Sequence, residues 1–184
     1  MSRGIHSKPV NGLSNDWMTP PEIIEALSPI SLDPCAHPKQ PWKTAETMVS
    51  PPDNGLKVKW RDYELTYVNP PFGQQLVKWS RKAVKEASLG ANILLLTPAR
   101  TEVEKWYFPH IWAKATSILF LKGRLYFRRP DGSREGNAGH GSCIAAYGEL
   151  ASDRLESSSI AGKFIRLRDA LGEDLCTREG MDLK

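Results

Sequence analysis

The sequence predicts an α/β domain with a mostly parallel central sheet and a late antiparallel hairpin. Three observations lead to that class. β-Favouring runs alternate with stretches of helical spacing over residues 16–170. The run Asn92 to Thr97 is almost continuously apolar, the pattern of a strand buried on both faces. The chain has 184 residues, 40% hydrophobic and 25% charged, which suits a minimal single domain with a real core.

The elements follow in order. Residues 1–15 are polar, with Gly and Pro, and read as a flexible N-terminal arm without the apolar stretch of a signal peptide. Thr19-Pro20-Pro21-Glu22 has the spacing of a capping box, and Ile23, Ile24 and Leu27 give the helix behind it an apolar side that Pro29 ends. Ile30 to Leu32 is a short strand-like run that stops at Asp33-Pro34-Cys35-Ala36. From His37 to Asn54 the chain is a Pro-rich loop with a short strand near Thr47 to Val49. Leu65 to Val68 reads as a strand that ends at Asn69. Leu76, Trp79, Ala83, Val84 and Ala87 have helical spacing, and Gly90 is a good terminator. A second capping-box spacing, Thr101 to Glu104, opens a helix broken near Pro109. Ser117 to Leu121 and Arg124 to Arg128 form the late hairpin around Lys122-Gly123, Arg129 to Gly141 a long mobile loop, and Ser142 to Tyr147 a last strand. Residues 171–184 are a polar C-terminal tail.

The bulk chemistry excludes some classes. Cys35, Cys143 and Cys176 are too few and too scattered for a disulfide framework, and no paired spacing suggests a metal, so a reducing cytoplasm is expected. No apolar run approaches membrane-spanning length. A formal net charge of +4 is compatible with an anionic partner such as nucleic acid.

The chemistry sits at the ends of two strands. In parallel sheets ligands bind at the carboxyl ends of the strands, and both Asp33-Pro34-Cys35-Ala36 and Asn69-Pro70-Pro71-Phe72 fall at such ends. A conjugated exocyclic amine is a poor nucleophile. It improves when two acceptors on its hydrogens draw it toward tetrahedral geometry. The Asn69 side-chain oxygen is one acceptor. The main-chain carbonyl of Pro70 is the second, held outward by two stiff prolines. Phe72 offers a face on which a planar ring stacks. Such a site works by orientation and a fixed polar environment. The plain alternative is a strand-ending Pro-Pro turn with a capping Asn.

Asp16 to Glu22, Leu32 to Ala36 and Asn69 to Phe72 follow the motif order of amino-methylating DNA methyltransferases. More narrowly, the chain resembles the phage-type DNA N6-adenine methyltransferase (Dam-like) family over most of residues 16–145. Further matches are Asn54-Gly55-Leu56 with Trp60, Trp79, Leu96 to Ala99, and Phe120 to Phe127. The resemblance implies a Rossmann-like fold that binds S-adenosyl-L-methionine. It implies that Thr19 holds the methionine carboxylate, that Trp17 packs beside the methionine moiety and Pro20 joins the same cofactor site, that Asp33 faces the cofactor's ammonium, and that Pro34, Cys35 and Ala36 bring backbone close to it. It gives Asp53 or Asn54 the cofactor's adenine amine and Glu46 the ribose hydroxyls. His37-Pro38 stand where the wider pattern has glycines. The resemblance implies a bacterial host cytoplasm and a phage or prophage origin.

The implied substrate is an adenine flipped out of double-stranded DNA. Arg100, Lys122, Arg124, Arg128, Arg129 and Arg134 cluster near the hairpin and its loop and are the expected DNA contacts. His140, a lone histidine in a Gly-rich loop, reads as a surface residue. The choice of adenine rests on the resemblance. The residues themselves leave open N4 of cytosine, structured RNA, a protein glutamine, or a non-catalytic nucleic-acid-binding module.

Overall fold

The computed structural model describes residues 17–137, 139–169 and 173–175. The expected arm at 1–15 and most of the expected tail lie outside the described residues. Among the described residues nine strands form: β1 Leu32–Asp33, β2 Thr47–Met48, β3 Thr66–Val68, β4 Ile93–Pro98, β5 Ser117–Leu121, β6 Tyr126–Arg128, β7 Arg134–Asn137, β8 Ser142–Tyr147 and β9 Gly162–Arg166. Three α-helices accompany them: α1 Pro21–Leu27, α2 Leu76–Ala87 and α3 Glu149–Glu156.

Seven strands make one sheet in the order β2-β1-β3-β4-β8-β5-β9. The sheet is mixed rather than mostly parallel. β1 pairs in parallel with β2 and β3, and β3 with β4. β8 inserts antiparallel between β4 and β5, and β9 runs antiparallel to β5. Strands β1 to β5 therefore share one direction. The last two main-sheet strands reverse it, because the chain leaves β5 at one end of the sheet and re-enters β8 from that same end.

The hairpin also differs in its partners. β5 pairs with β8 and β9, whereas β6 pairs with β7 in a separate two-stranded ribbon. The expected loop thus supplies a strand, and Met18 adds a bridge to Arg128 on the ribbon's outer side. The second capping box does not form. Around Pro109, which lacks an N–H, the chain winds as a π-turn over Tyr107–Trp112, and the Thr101 carbonyl accepts the Trp112 indole N–H at 3.2 Å.

Helical elements cover both faces. Ile93 and Leu95 pack with Trp60, Trp79, Tyr107 and Ile111 on the side of α2 and the π-turn. Leu94 and Leu96 pack with Ile23, Ile24, Leu27 and Leu155 on the side of α1 and α3. That two-sided burial is why β4 is apolar throughout. Arg154 of α3 donates to the carbonyls of Leu27 and Pro29, both at 3.0 Å, and so closes the C-terminal end of α1.

Candidate active site

A cavity of about 770 Å³ opens at the carboxyl ends of β1, β2 and β3. Its size falls within the roughly 300–1,000 Å³ typical of small-molecule and cofactor sites. Asp33 to Ala36 leave β1 into its wall, Val49 leaves β2, and Asn69 to Phe72 leave β3. The two strand-end motifs therefore share one wall, because β1 and β3 are hydrogen-bonded neighbours that point the same way.

At the end of β3 the Asn69 side chain is held by one bond. Its Nδ2 donates to the main-chain carbonyl of Trp17 at 2.8 Å. A carbonyl can only accept, so this bond assigns the amide's orientation and leaves Oδ1 as its acceptor. Pro70 is buried and Phe72 half-buried. Phe72 meets Trp17 edge-on at 6.2 Å and Phe127 of the ribbon at 5.9 Å. Trp17 and Phe127 are 5.0 Å apart, so three aromatic rings brace the loop from one side.

At the end of β1, Asp33 is only 3% exposed. Its carboxylate accepts the Cys35 N–H at 2.9 Å and the Thr44 hydroxyl at 2.5 Å. The Ala36 N–H donates to Val49 O at 3.0 Å. This turn is therefore shaped by a carboxylate and a neighbouring strand end, which accounts for its lack of glycine. Burial pushes the Asp33 carboxyl up to about 6, against the pull of its two donors. Burial, then the Asp33 charge, raises the Cys35 thiol and keeps it protonated.

The loop before Trp60 closes the cavity from the other side. The Asn54 side chain accepts the Leu56 N–H at 3.0 Å and starts a short 3₁₀ turn, Gly55–Lys57. Gly55 lies against the backbone of Pro34, where an added Cβ would sit 1.7 Å from the Pro34 oxygen. Trp60 donates its indole N–H to the Gly55 carbonyl at 3.0 Å and stacks on Trp79, which also lines the cavity. The glycine thus sets this loop against the Asp33 turn, and the two tryptophans tie it to α2.

Several expected roles change. Thr19 lines the cavity but caps nothing. Its hydroxyl is bonded to the Tyr67 hydroxyl at 2.9 Å, and α1 has Pro20 as its N-cap, without a side-chain cap. The side chain turns inward because Tyr67, fully buried on β3, needs a partner for its hydroxyl. Pro20, as that N-cap, is not part of the cavity wall. Glu46 is exposed and is also absent from the wall. Its N–H bonds to Ile30 O, before β1 begins, so it stands at the opposite ends of the strands from the cavity.

None of the six expected cationic DNA contacts lines this cavity. Lys122 and Arg124 flank a shallower groove of about 300 Å³ beside α1. Arg128 is an internal tie: its guanidinium meets Glu22 of α1 at 2.7 Å and is 19% exposed. Glu22 is held below the usual carboxylate range, first by its backbone hydrogen bonding and then by Arg128. Arg134 stands over the Tyr126 ring at 6.0 Å, and Arg100 makes an exposed pair with Glu102 at 3.3 Å. Arg129 is half-buried at the base of the ribbon, where its N–H bonds to Ser133 O.

The fold also recruits wall residues that their neighbours in sequence do not announce. Thr44 and Gln40 come from the Pro-rich loop, and the Gln40 Nε2 is buried without a partner. His140 enters because its loop is tied to the end of β4 by the Ala99 N–H on Gly141 O at 2.9 Å. Among the described residues no group of His, Cys, Asp or Glu is arranged to hold a metal ion.

A mixed α/β domain whose strand-end Asn-Pro-Pro-Phe and buried Asp33 share one cavity has the architecture of an amino-group methyltransferase. The family model for DNA N-6-adenine-methyltransferase (Dam) matches residues 6–162, and the chain belongs to that family. No curated protein matches the chain.

Proposed function

We propose that the chain transfers a methyl group from S-adenosyl-L-methionine to N6 of an adenine flipped out of double-stranded DNA. The reading takes residues 16–170 as the catalytic domain, with a Rossmann-like use of the strand ends. The observation that carries it is the Asn69 amide, anchored through Nδ2 on Trp17 and left with Oδ1 as an acceptor beside Pro70.

The wall residues fit this cofactor. Asp33 offers a buried carboxylate to the cofactor's ammonium. The Thr19 and Tyr67 hydroxyls spend one proton on each other, so one O–H remains for the carboxylate. The orphaned Gln40 amide nitrogen gains an acceptor when a polar ligand fills the cavity. Asp53 is the better partner for the adenine amine, since the Asn54 oxygen already caps its own turn. Glu46, exposed outside the wall, leaves the ribose to wall groups. When bound, the cofactor supplies a methyl group activated on a positively charged sulfur.

The chain's own residues do the rest. Asn69 Oδ1 and the Pro70 carbonyl accept the two amino hydrogens and turn the nitrogen lone pair toward the donor. Phe72, braced by Trp17 and Phe127, supports the ring plane. No strong base is required, because the nitrogen needs to lose its proton only after the methyl group has arrived. The phage-type resemblance implies action in the cytoplasm of a bacterial host.

The test is incubation with labelled cofactor and unmethylated duplex, followed by nucleoside analysis. N6-methyladenine is expected from the parent and not from Asn69→Ala. Label on N4 of cytosine, on RNA or on protein overturns the substrate assignment, and unchanged transfer by Asn69→Ala overturns the site.

A further inference from the structure

His140 is one of two histidines in the cavity wall, and that wall also carries two carboxylates. Asp33 and Asp53 line the same cavity, at the end of β1 and on the loop after β2. His140 lies on the loop before β8, tethered to the end of β4 by the Ala99–Gly141 bond. Two further cations act on its ring: Arg100, just after β4, and Arg124, just before β6. All three side chains are exposed. They come from three separate segments, and of the three His140 itself lines the cavity that also holds Asn69 to Phe72.

We propose that His140, with Arg100 and Arg124, forms a phosphate-binding rim that receives the DNA backbone beside the base held at Asn69. This rests on the functional reading above. A nucleotide entering base-first must leave its phosphates at the cavity mouth, and a cationic rim there is complementary to them. The Asp33 and Asp53 carboxylates then suit the positively charged cofactor, so the charges of one cavity sort the two substrates. The exposed Arg100–Glu102 pair is a weak tie that a phosphate can replace.

A consequence follows for protons. Burial first, and then Arg100 and Arg124, lower the His140 pKa in the free protein. A phosphate arriving between these groups reverses the sign of the local field and favours the imidazolium. DNA binding by this rim therefore takes up protons, and affinity falls as pH rises through the imidazole range. His37 lines the same cavity on the loop after β1 and serves as the control.

The experiment measures binding of an unmethylated duplex, without cofactor, from pH 5.5 to 8.5 at fixed salt. The parent is compared with His140→Gln, His37→Gln and Arg100→Gln. His140→Gln is expected to bind about 5-fold more weakly than the parent near pH 6, as one partly exposed charge contact implies. It should match the parent near pH 8, while the affinity for the demethylated cofactor stays unchanged. His37→Gln should follow the parent, and Arg100→Gln should lower the salt slope by about one. A His140→Gln protein that keeps the parent's pH profile, or loses cofactor product rather than DNA, overturns the inference alone. A parent that neither binds nor methylates duplex DNA overturns the functional reading and this inference together.

Discussion

Asn69 and Trp17 lie 52 residues apart and are joined by one hydrogen bond, from the side-chain amide to a main-chain carbonyl, at 2.8 Å. The bond turns a flexible amide into an acceptor with a fixed direction. Asn69→Asp tests this more sharply than deletion does. The carboxylate has the same shape but faces the Trp17 carbonyl as a second acceptor, so it must rotate or bind a proton. Methyl transfer by Asn69→Asp is expected to fall by about 100-fold or more, the scale set by losing one preorganised polar contact. Single-turnover kinetics with saturating cofactor measure the loss, and calorimetry should show cofactor affinity nearly retained.

Asp33 makes stability depend on pH. Its carboxyl sits at about 6 in the folded protein against a reference of 3.8, and burial is the cause. A raised carboxyl contributes stability that is complete below the unfolded value and is lost as pH rises through the folded value. Between about pH 4 and pH 6 the cofactor-free protein should lose about 3 kcal/mol from this group. Asp33→Asn keeps the shape and can still pair with Thr44, so its denaturation midpoint should lack this step. The same variant should lose cofactor affinity by more than about tenfold, the loss expected on removing one partner of a charge-assisted bond. A parent and variant with parallel stability profiles would contradict the assignment.

Gly55 is required by packing rather than by backbone angle. Any Cβ there meets the Pro34 oxygen at 1.7 Å, so Gly55→Ala must push the Asp53 loop away from the Asp33 turn. A loss of about 1–3 kcal/mol is expected from such overpacking, read by chemical denaturation. Cofactor binding should weaken as well, since the displaced loop walls the cavity.

Thr19 and Tyr67 should be energetically coupled. Thr19→Val leaves the buried Tyr67 hydroxyl without its partner and is expected to cost about 1–3 kcal/mol. In a Tyr67→Phe background the same change should cost much less. A double-mutant cycle measures the difference, and additive costs would show that the 2.9 Å bond carries little.

The sequence determined the local events. Strand propensity followed by Asp33-Pro or Asn69-Pro marks an element and its end within a few residues, so both halves of the candidate site were legible. The two-sided burial of β4 was legible for the same reason. Tertiary structure decided partners and directions. Periodicity is the same whichever way a strand runs, so the reversal of β8 could not be read, nor could the pairing of β6 with β7. The Thr19 hydroxyl went to Tyr67 rather than to a helix end, and the Arg128 guanidinium to Glu22 rather than to solvent. Glu46 fell outside the cavity wall, while Thr44 and His140 were carried into it. A side chain's neighbour is chosen by whichever distant group is left without a partner when the core closes. That choice is made across tens of residues, where no spacing rule along the chain applies.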